Sequence, residues 1–367
     1  MKNRKIAATL LAVCLLLSGC ASAPAETEPE RLAVTAEPQT APVTEPTTEP
    51  TTAPTTEPEP QDEHFILTFA GDCTLGSNPV NYYASASFIN LVGEDYGYPF
   101  RNVLEYFEND DFTMVNLEGT LCDGGAPANK TFTFRGPSAY INILTENSVE
   151  AVNLANNHTL DYGAAGYAST KALLEEGEIA YVERNATAIF TTESGLTIGL
   201  CAANFTFDVD TVRAQVDQLR EQGAEIVVFA VHWGQEGSYR PMKYHETLAH
   251  ELIDAGVDIL FGTHPHVLQK VEQYNGGVIL YSLGNFCFGG NHQPKDLDTA
   301  LVQQEVIRDP EGNISLGELT LIPASISSIP VQNNFQPTPY EEGSEEYDRA
   351  MSKLDGTWTG YDLVVSY

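Results

Sequence analysis

Six short apolar runs in this sequence end in groups that can bind a metal or move a proton. "FILTFAGD" ends at Asp72, "FTMVNLEG" at Asn116 and Glu118, and "VEAVNLANNH" at Asn157 and His158. "EIVVFAVHWG" ends at His232, "VDILFGTHPH" at His264 and His266, and "GVILYSLGNF" at Ser282 and Asn285. Taken singly, each is weak. "AGD" is a common turn after a strand. Glu118 fits a solvated strand-end acid. "ANNH" fits an Asx turn and helix cap, because Asn bonds the backbone readily. "HWG" fits an aromatic packed beside a structural His. "THPH" is stronger, because His at i and i+2 of an extended chain point to the same side. Together they supply one Asp, one Glu, one Asn and three or four His, a nitrogen and oxygen set for one or two divalent metals. Phosphoryl-transfer metal sites need this mixture. A carboxylate bridges two cations, imidazoles and an amide fill other positions, and an unligated His protonates the leaving oxygen.

Such groups act together only if the fold gathers them. Helical patterns lie between several of the runs: "GYASTKALLEEG", "DTVRAQVDQLREQG" and "KYHETLAHELIDAG", each closing with Gly as helices often do. Strand, helix and strand with short connections predict βαβ units. In open α/β sheets the site lies outside the carboxyl ends of the strands, so these polar groups are expected on one rim. After residue 298, "TALVQQEVIRDPEGNISLGELTLIPASIS" alternates around "DPEGN" and predicts a β-hairpin; "EEYDRAMSKLDG" predicts a short polar helix.

The series "FAGDCTLG", "VNLEGTL", "LANNHTLDYG", "VHWGQE", "GTHPHVLQ" and "YSLGNF" resembles the bacterial capsule-synthesis CapA family, which includes the PgsA-type proteins of poly-γ-glutamate production. That family is similar to the calcineurin-like metallophosphoesterase superfamily. The resemblance covers about residues 64 to 290. It implies an α/β fold, a four-layer α/β/β/α sandwich, here followed by the hairpin and short helix. The domain is placed at 64–330, with 331–367 as a C-terminal extension. By the same resemblance Asp72, Glu118, Asn157, His232, His264 and His266 are metal ligands. His158 is the catalytic acid, and Asp161 orients it or caps a helix. The cofactor implied is one or two divalent ions, Mn, Fe or Zn. Two departures stand out: Thr74 replaces a His two residues after the Asp, and Glu118 replaces a bridging Asp. Both occur in the CapA-like branch. They leave a two-metal site, a single-metal site and a binding role open.

Smaller expectations attach to other polar residues. Arg135 in "TFRGP", and Arg240 and Lys243 after "HWGQEGSYRP", are cations in a chain with few, suited to a carboxylate or phosphate or to surface salt bridges. Glu236 and Asn285 are placed at the substrate side of the rim; Ser282 closes the rim or shapes a turn. His64, His245, His250 and His292 have no supporting context and are expected at the surface.

The N-terminus predicts the compartment. Lys2, Arg4 and Lys5 precede an apolar run from Ile6 to Leu17 and then Ser18-Gly19-Cys20, a signal-peptide pattern in residues 1–20. "LLSGC" resembles the lipobox of bacterial lipoproteins, which implies lipidation of Cys20 and an extracytoplasmic, membrane-anchored protein. Residues 21–63 are rich in Thr, Glu and Pro and hold too few apolar side chains to repay ordering, so they read as an extended tether. The net charge of −33 repels nucleic acid and anionic membrane. No CxxC is present, so no thiolate zinc site is expected. One or two disulfides among Cys73, Cys122, Cys201 and Cys287 are compatible with an oxidising exterior.

Two function classes follow. One is metal-dependent hydrolysis or transfer on an envelope polymer or phosphoester. The other is a non-catalytic module binding or guiding an anionic polymer such as poly-γ-glutamate within a membrane-bound synthesis complex. A structural domain with a vestigial site is the third, plainest reading.

Overall fold

The computed structural model describes residues 61–81 and 84–363. The signal pattern, Cys20 and the tether up to residue 60 lie outside the described residues. The chain enters through β1 (Glu63–Thr74), then β2 (Phe112–Leu117), the short β3 (Thr120–Leu121) and β4 (Arg135–Gly136), then β5 (Ala151–Asn153) and β6 (Ala180–Val182). It continues through β7 (Thr187–Thr191), β8 (Thr197–Asn204), β9 (Ile226–His232), β10 (Ile259–Thr263), β11 (Val271–Tyr274) and β12 (Gly277–Leu280). It returns through β13 (Asn285–Phe288), β14 (Asp298–Arg308), β15 (Ile314–Ser325) and β16 (Thr338–Pro339).

These strands form two main sheets. One has the order β16-β15-β14-β1-β2-β5-β6, with β13 beside the end of β1; the other has the order β11-β12-β10-β9-β8-β7. β1, β2, β5 and β6 run parallel, as do β8, β9, β10 and β12, so the rim-forming strands of each sheet end on the same side.

Strand alternation builds the layers. Along β9, Ile226, Val228 and Ala230 face one way and meet Leu67 and Phe69 of β1, Met114 of β2 and Phe261 of β10. Val227, Phe229 and Val231 face the other way and meet Val212, Val216 and Leu219 of helix Val209–Glu221 and Leu248, Leu252 and Ile253 of helix Lys243–Asp254. On the first sheet, Val115, Leu117 and Val152 pack under Ile143, Leu144 and Leu174. Both faces of both sheets are thus buried, one against the other sheet and one against helices, the four-layer sandwich expected from sequence. The predicted helices form at Gly163–Glu176, Val209–Glu221 and Lys243–Asp254. Asp208 caps the second by accepting from the amide of Thr211 at 3.0 Å. Gly223 (φ 95°) and Gly256 (φ 101°) follow the last two, where a left-handed residue ends a helix cheaply.

The predicted hairpin is β14–β15, paired antiparallel, and the predicted tail helix spans Glu345–Leu354 with Ser344 as its cap. The stretch after residue 330 is integral to the domain: Phe335, Ala350 and Leu354 are buried in the main cores. Lys353 is buried with its ammonium 2.7 Å from Asp296 and 2.6 Å from Asp298, and Arg349 also grips Asp298. Despite burial, Arg349 and Lys353 hold the Asp298 carboxyl below its ordinary range. Its contribution to stability is therefore present above about pH 4 and lost as the pH falls through the lower folded-state value. Truncating Lys353 to Ala strands buried carboxylates, and chemical denaturation should show a loss of about 3 kcal/mol; a loss within experimental scatter would contradict the role given to this cluster.

Two expectations are corrected. His245 is not at the surface; it is buried against the indole of Trp233, ring centroids 4.7 Å apart, because it lies on the inward stripe of its helix. Cys73, Cys122, Cys201 and Cys287 are buried free thiols, so no disulfide links the described residues.

Candidate metal centre

The carboxyl end of β1 packs closely against the turn that leads from β12 of the second sheet into β13. A Cβ on Gly71 would lie 2.1 Å from the carbonyl oxygen of Gly284, and the amide of Asp72 donates to that same oxygen at 2.9 Å. Only Gly fits at 71, which is why "AGD" and "SLGNF" meet. Ser282 shapes this turn, its hydroxyl donating to Val267 O at 2.8 Å.

Asp72 and Glu118 are fully buried at the ends of β1 and β2. Asn116 orients Asp72 by donating to Oδ1 at 2.7 Å, and is itself held by amides of Asn153 (3.0 Å) and Asn156 (3.1 Å). Asn156 is thus a buried strut, while the next residue, Asn157, reaches across to the second sheet, with Oδ1 2.8 Å from Nε2 of His232. His232 is fixed from behind by Thr263, 2.9 Å from Nδ1. Thr263 ends β10, and His264 and His266 follow it in a turn at φ 99° and 57°. The expected extended geometry of "THPH" is therefore wrong. Both His adopt left-handed backbone that side-chain-bearing residues rarely take, a strain that concentrates at functional sites. Their rings still converge, centroids 5.8 Å apart, and His264 lies 4.6 Å from His232.

The rings surround Glu118. Its Oε1 lies 3.8 Å from Nε2 of His158, 3.7 Å from Nε2 of His232 and 3.8 Å from Nε2 of His266. Neither oxygen of Glu118 has a hydrogen-bond partner, and neither has Nδ1 of His264. A buried, unsatisfied carboxylate ringed by imidazole nitrogens just outside contact is costly without a cation. Burial accordingly pushes the Glu118 carboxyl well above its ordinary value. Burial and neighbouring imidazoles push His232 well below the usual range and His264 down to about 3, leaving both as neutral donors. Burial works against a charge on His266, but Glu118 and Asp72, whose Oδ2 is 3.0 Å from Nδ1, outweigh it and raise the ring to about 10. Two donor sets have ligand atoms within 4.8 Å of one another: Asp72, Glu118 and His266, and Glu236, His264 and His266. Orphaned carboxylate oxygens, neutral imidazoles and an amide oxygen at one buried point fit a divalent ion.

His158 stands beside this cluster rather than in it. Nδ1 is 2.7 Å from Asp161 Oδ2, which assigns the proton there and leaves Nε2 towards Glu118 and the cavity. Asp161 is fully buried and accepts from the amide of Phe134 at 2.6 Å, so it orients His158 rather than capping a helix. Burial lowers the His158 pKa against the pull of Asp161.

A cavity of about 420 Å³ opens in front, its lining including the polar His158, Glu236, His266 and Asn285 and the apolar Phe132, Phe134 and Phe288. Oδ1 of Asn285 accepts from Nδ1 of the His266 ring there at 2.9 Å. Three cations suited to a carboxylate or phosphate have partners elsewhere. Arg240 holds the carbonyls of Trp358 and Gly360, 3.1 and 3.3 Å away, and so fastens the C-terminal segment. Arg135 stacks over Tyr162 at 5.0 Å. Lys243 pairs with Glu246 on an exposed helix start.

Several site residues carried no sequence signal. Lys130 donates to Asn157 O at 2.8 Å and lies 2.5 Å from Asp161 Oδ1. Phe205, at φ 49°, sets its edge against His232 and His264. Phe134 packs on His158 with centroids 4.4 Å apart. Only the scarcity of cations could have drawn attention to Lys130.

Fold and rim together define a two-sheet α/β sandwich with a buried carboxylate, imidazole and amide cluster at the strand ends. A family model described as bacterial capsule synthesis protein PGA_cap matches residues 66–290, and the chain belongs to that family. The capsule biosynthesis protein CapA of Bacillus anthracis is 29% identical over 272 residues, covering 66% of this chain and 64% of that protein. The PGA biosynthesis protein CapA of Bacillus subtilis (strain 168) is 28% identical over 327 residues, covering 81% and 82%. A probable polyglutamine synthesis accessory protein of Mycobacterium tuberculosis is 27% identical over 282 residues, covering 66% and 73%. The chain thus spans just under two thirds of the first of these relatives. Solved structures are more distant. The NAD nucleotidase of Haemophilus influenzae has TM-score 0.40 at 12% identity, over 81% of this chain and 63% of that one. A purple acid phosphatase from yellow lupin seeds has TM-score 0.35 at 12% identity, over 83% and 58%. Likenesses at this level add nothing to what the sheets and rim show directly.

Proposed function

We propose that this protein is a divalent-metal-dependent hydrolase of phosphoester type that serves capsule or poly-γ-glutamate synthesis or export outside the cytoplasm, anchored through lipid on Cys20 by way of its tether. The observation that carries the catalytic part is the unsatisfied, buried Glu118 ringed by His158, His232 and His266. Asp72, Glu118, Asn157, His232, His264 and His266 would hold one or two ions. A bound divalent ion supplies Lewis acidity and lowers the pKa of water. The chain's own residues do the rest. Asp161 keeps the His158 proton on Nδ1 and so leaves Nε2 to exchange a proton with a group in the cavity. Asn285 and Glu236 line the approach, and the three Phe make part of the lining apolar.

The capsule role draws on the names of the Bacillus relatives. The anchor draws on the Lys2 to Cys20 pattern. Those relatives also favour a second reading, a non-catalytic module that binds or guides an anionic polymer in a membrane-bound synthesis complex. Incubating the purified protein with Mn²⁺ and a chromogenic phosphodiester, with and without chelator, separates them. Chelator-sensitive turnover supports the hydrolase. Absence of turnover across phosphomonoesters, phosphodiesters and γ-linked peptides, with retained binding of poly-γ-glutamate, supports the module and overturns the hydrolase.

A further inference from the structure

Thr74, two residues after Asp72, is fully buried, and its hydroxyl donates to the backbone carbonyl of Glu118 at 2.9 Å. It is committed to the turn that carries Glu118 and contributes nothing to the cluster. The Asp72, Glu118 and His266 set is therefore left with three donors. A second set shares His266 and takes its carboxylate from the cavity side. Glu236 has a carboxylate oxygen within 4.8 Å of ligand atoms on both His264 and His266. It comes from the other sheet, from the loop that follows β9. Gly234 (φ 95°) and Gly237 (φ 76°) turn that loop sharply, and the amide of Gly237 donates to Pro265 O at 2.8 Å. Glu236 is thus fastened by backbone to the same turn that presents the two His. The unsatisfied oxygens of buried Glu118 independently mark this point as one where a cation belongs.

We propose that Glu236 is a metal ligand that joins His264 and His266 on the cavity side of the rim, which rests on the metal-centre reading above. An ion held by Asp72, Glu118 and His266 would meet two carboxylates and one imidazole, whereas one held by Glu236, His264 and His266 would meet one carboxylate and two imidazoles. Carboxylate-rich sets suit Mn²⁺, whereas imidazole-rich sets suit Zn²⁺ and Fe²⁺. The two places differ in chemistry, and the first is selective for the harder ion.

The test is metal stoichiometry and Mn²⁺ electron paramagnetic resonance on the full-length protein, beside Glu236→Gln and Glu236→His. The wild type should bind two ions, with one place preferring Mn²⁺ over Zn²⁺. Glu236→Gln should bind one ion, or bind the second at least tenfold more weakly. Glu236→His should keep the second ion and shift its preference towards Zn²⁺, an outcome that a purely structural or substrate-contacting Glu236 would not give. Two ions held by Glu236→Gln with wild-type affinity and preference would overturn the assignment of Glu236 alone. A wild type that binds no ion would overturn the metal centre itself, and this inference with it.

Discussion

Glu118→Gln should leave the protein folded and abolish the stability it gains from divalent metal. Glu118 is fully buried, accepts no hydrogen bond, and lies 3.7–3.8 Å from three imidazole nitrogens. Metal that binds only the folded chain stabilises it by about 2.7 kcal/mol at a hundredfold excess over its dissociation constant. Thermal unfolding should register that as a rise of several degrees in the wild type. An amide at 118 cannot bridge cations, so the rise should vanish in the variant. The same change removes a buried acid that has no hydrogen-bond partner, so the metal-free variant should melt no lower than the metal-free wild type. The two curves test different halves of the claim. A variant that keeps the metal-induced rise would show that Glu118 is not a ligand. A metal-free variant that melts far below wild type would show that Glu118 is held by contacts other than a cation.

His158→Ala should lower turnover of a phosphodiester by roughly a hundred- to ten-thousandfold, the usual worth of a positioned general acid. Metal content should not change. The two effects separate because His158 bonds Asp161 through Nδ1, whereas His232 is bonded to Asn157 and Thr263. Loss of the ring also removes its packing on Phe134, so circular dichroism should accompany the assay to show that the cavity wall survives. Wild-type turnover in the variant would remove His158 from the chemistry. Loss of metal with loss of turnover would place it among the ligands.

The rim was legible in the sequence because each candidate residue ends an apolar run whose period and length define a strand, and parallel strands deliver their ends to one side. Asp72, Glu118 and His232 needed nothing more. The helices were legible from periodicity and closing Gly, and the hairpin from alternation around "DPEGN". What was not legible depends on contacts between distant loops. Lys130 comes from a stretch with no periodicity and meets Asp161 only after the chain has folded around β4. Arg240 looked like an anion receptor because its partners, Trp358 and Gly360, are more than a hundred residues away. The left-handed turn at His264 and His266 was hidden because an apolar run followed by "THPH" reads as continued strand, whereas β10 stops at Thr263. His245 lies on the helix stripe that faces Trp233, and a closing Gly marks where a helix ends without marking which stripe is inward.

The most direct test of the metal centre is elemental analysis of full-length protein, purified without chelator and then equilibrated with Mn²⁺, Fe²⁺ or Zn²⁺, beside the His264→Ala/His266→Ala double variant. Stoichiometric metal in the wild type and its loss in a still-folded variant is the predicted result; a wild type that holds none of the three ions would contradict it.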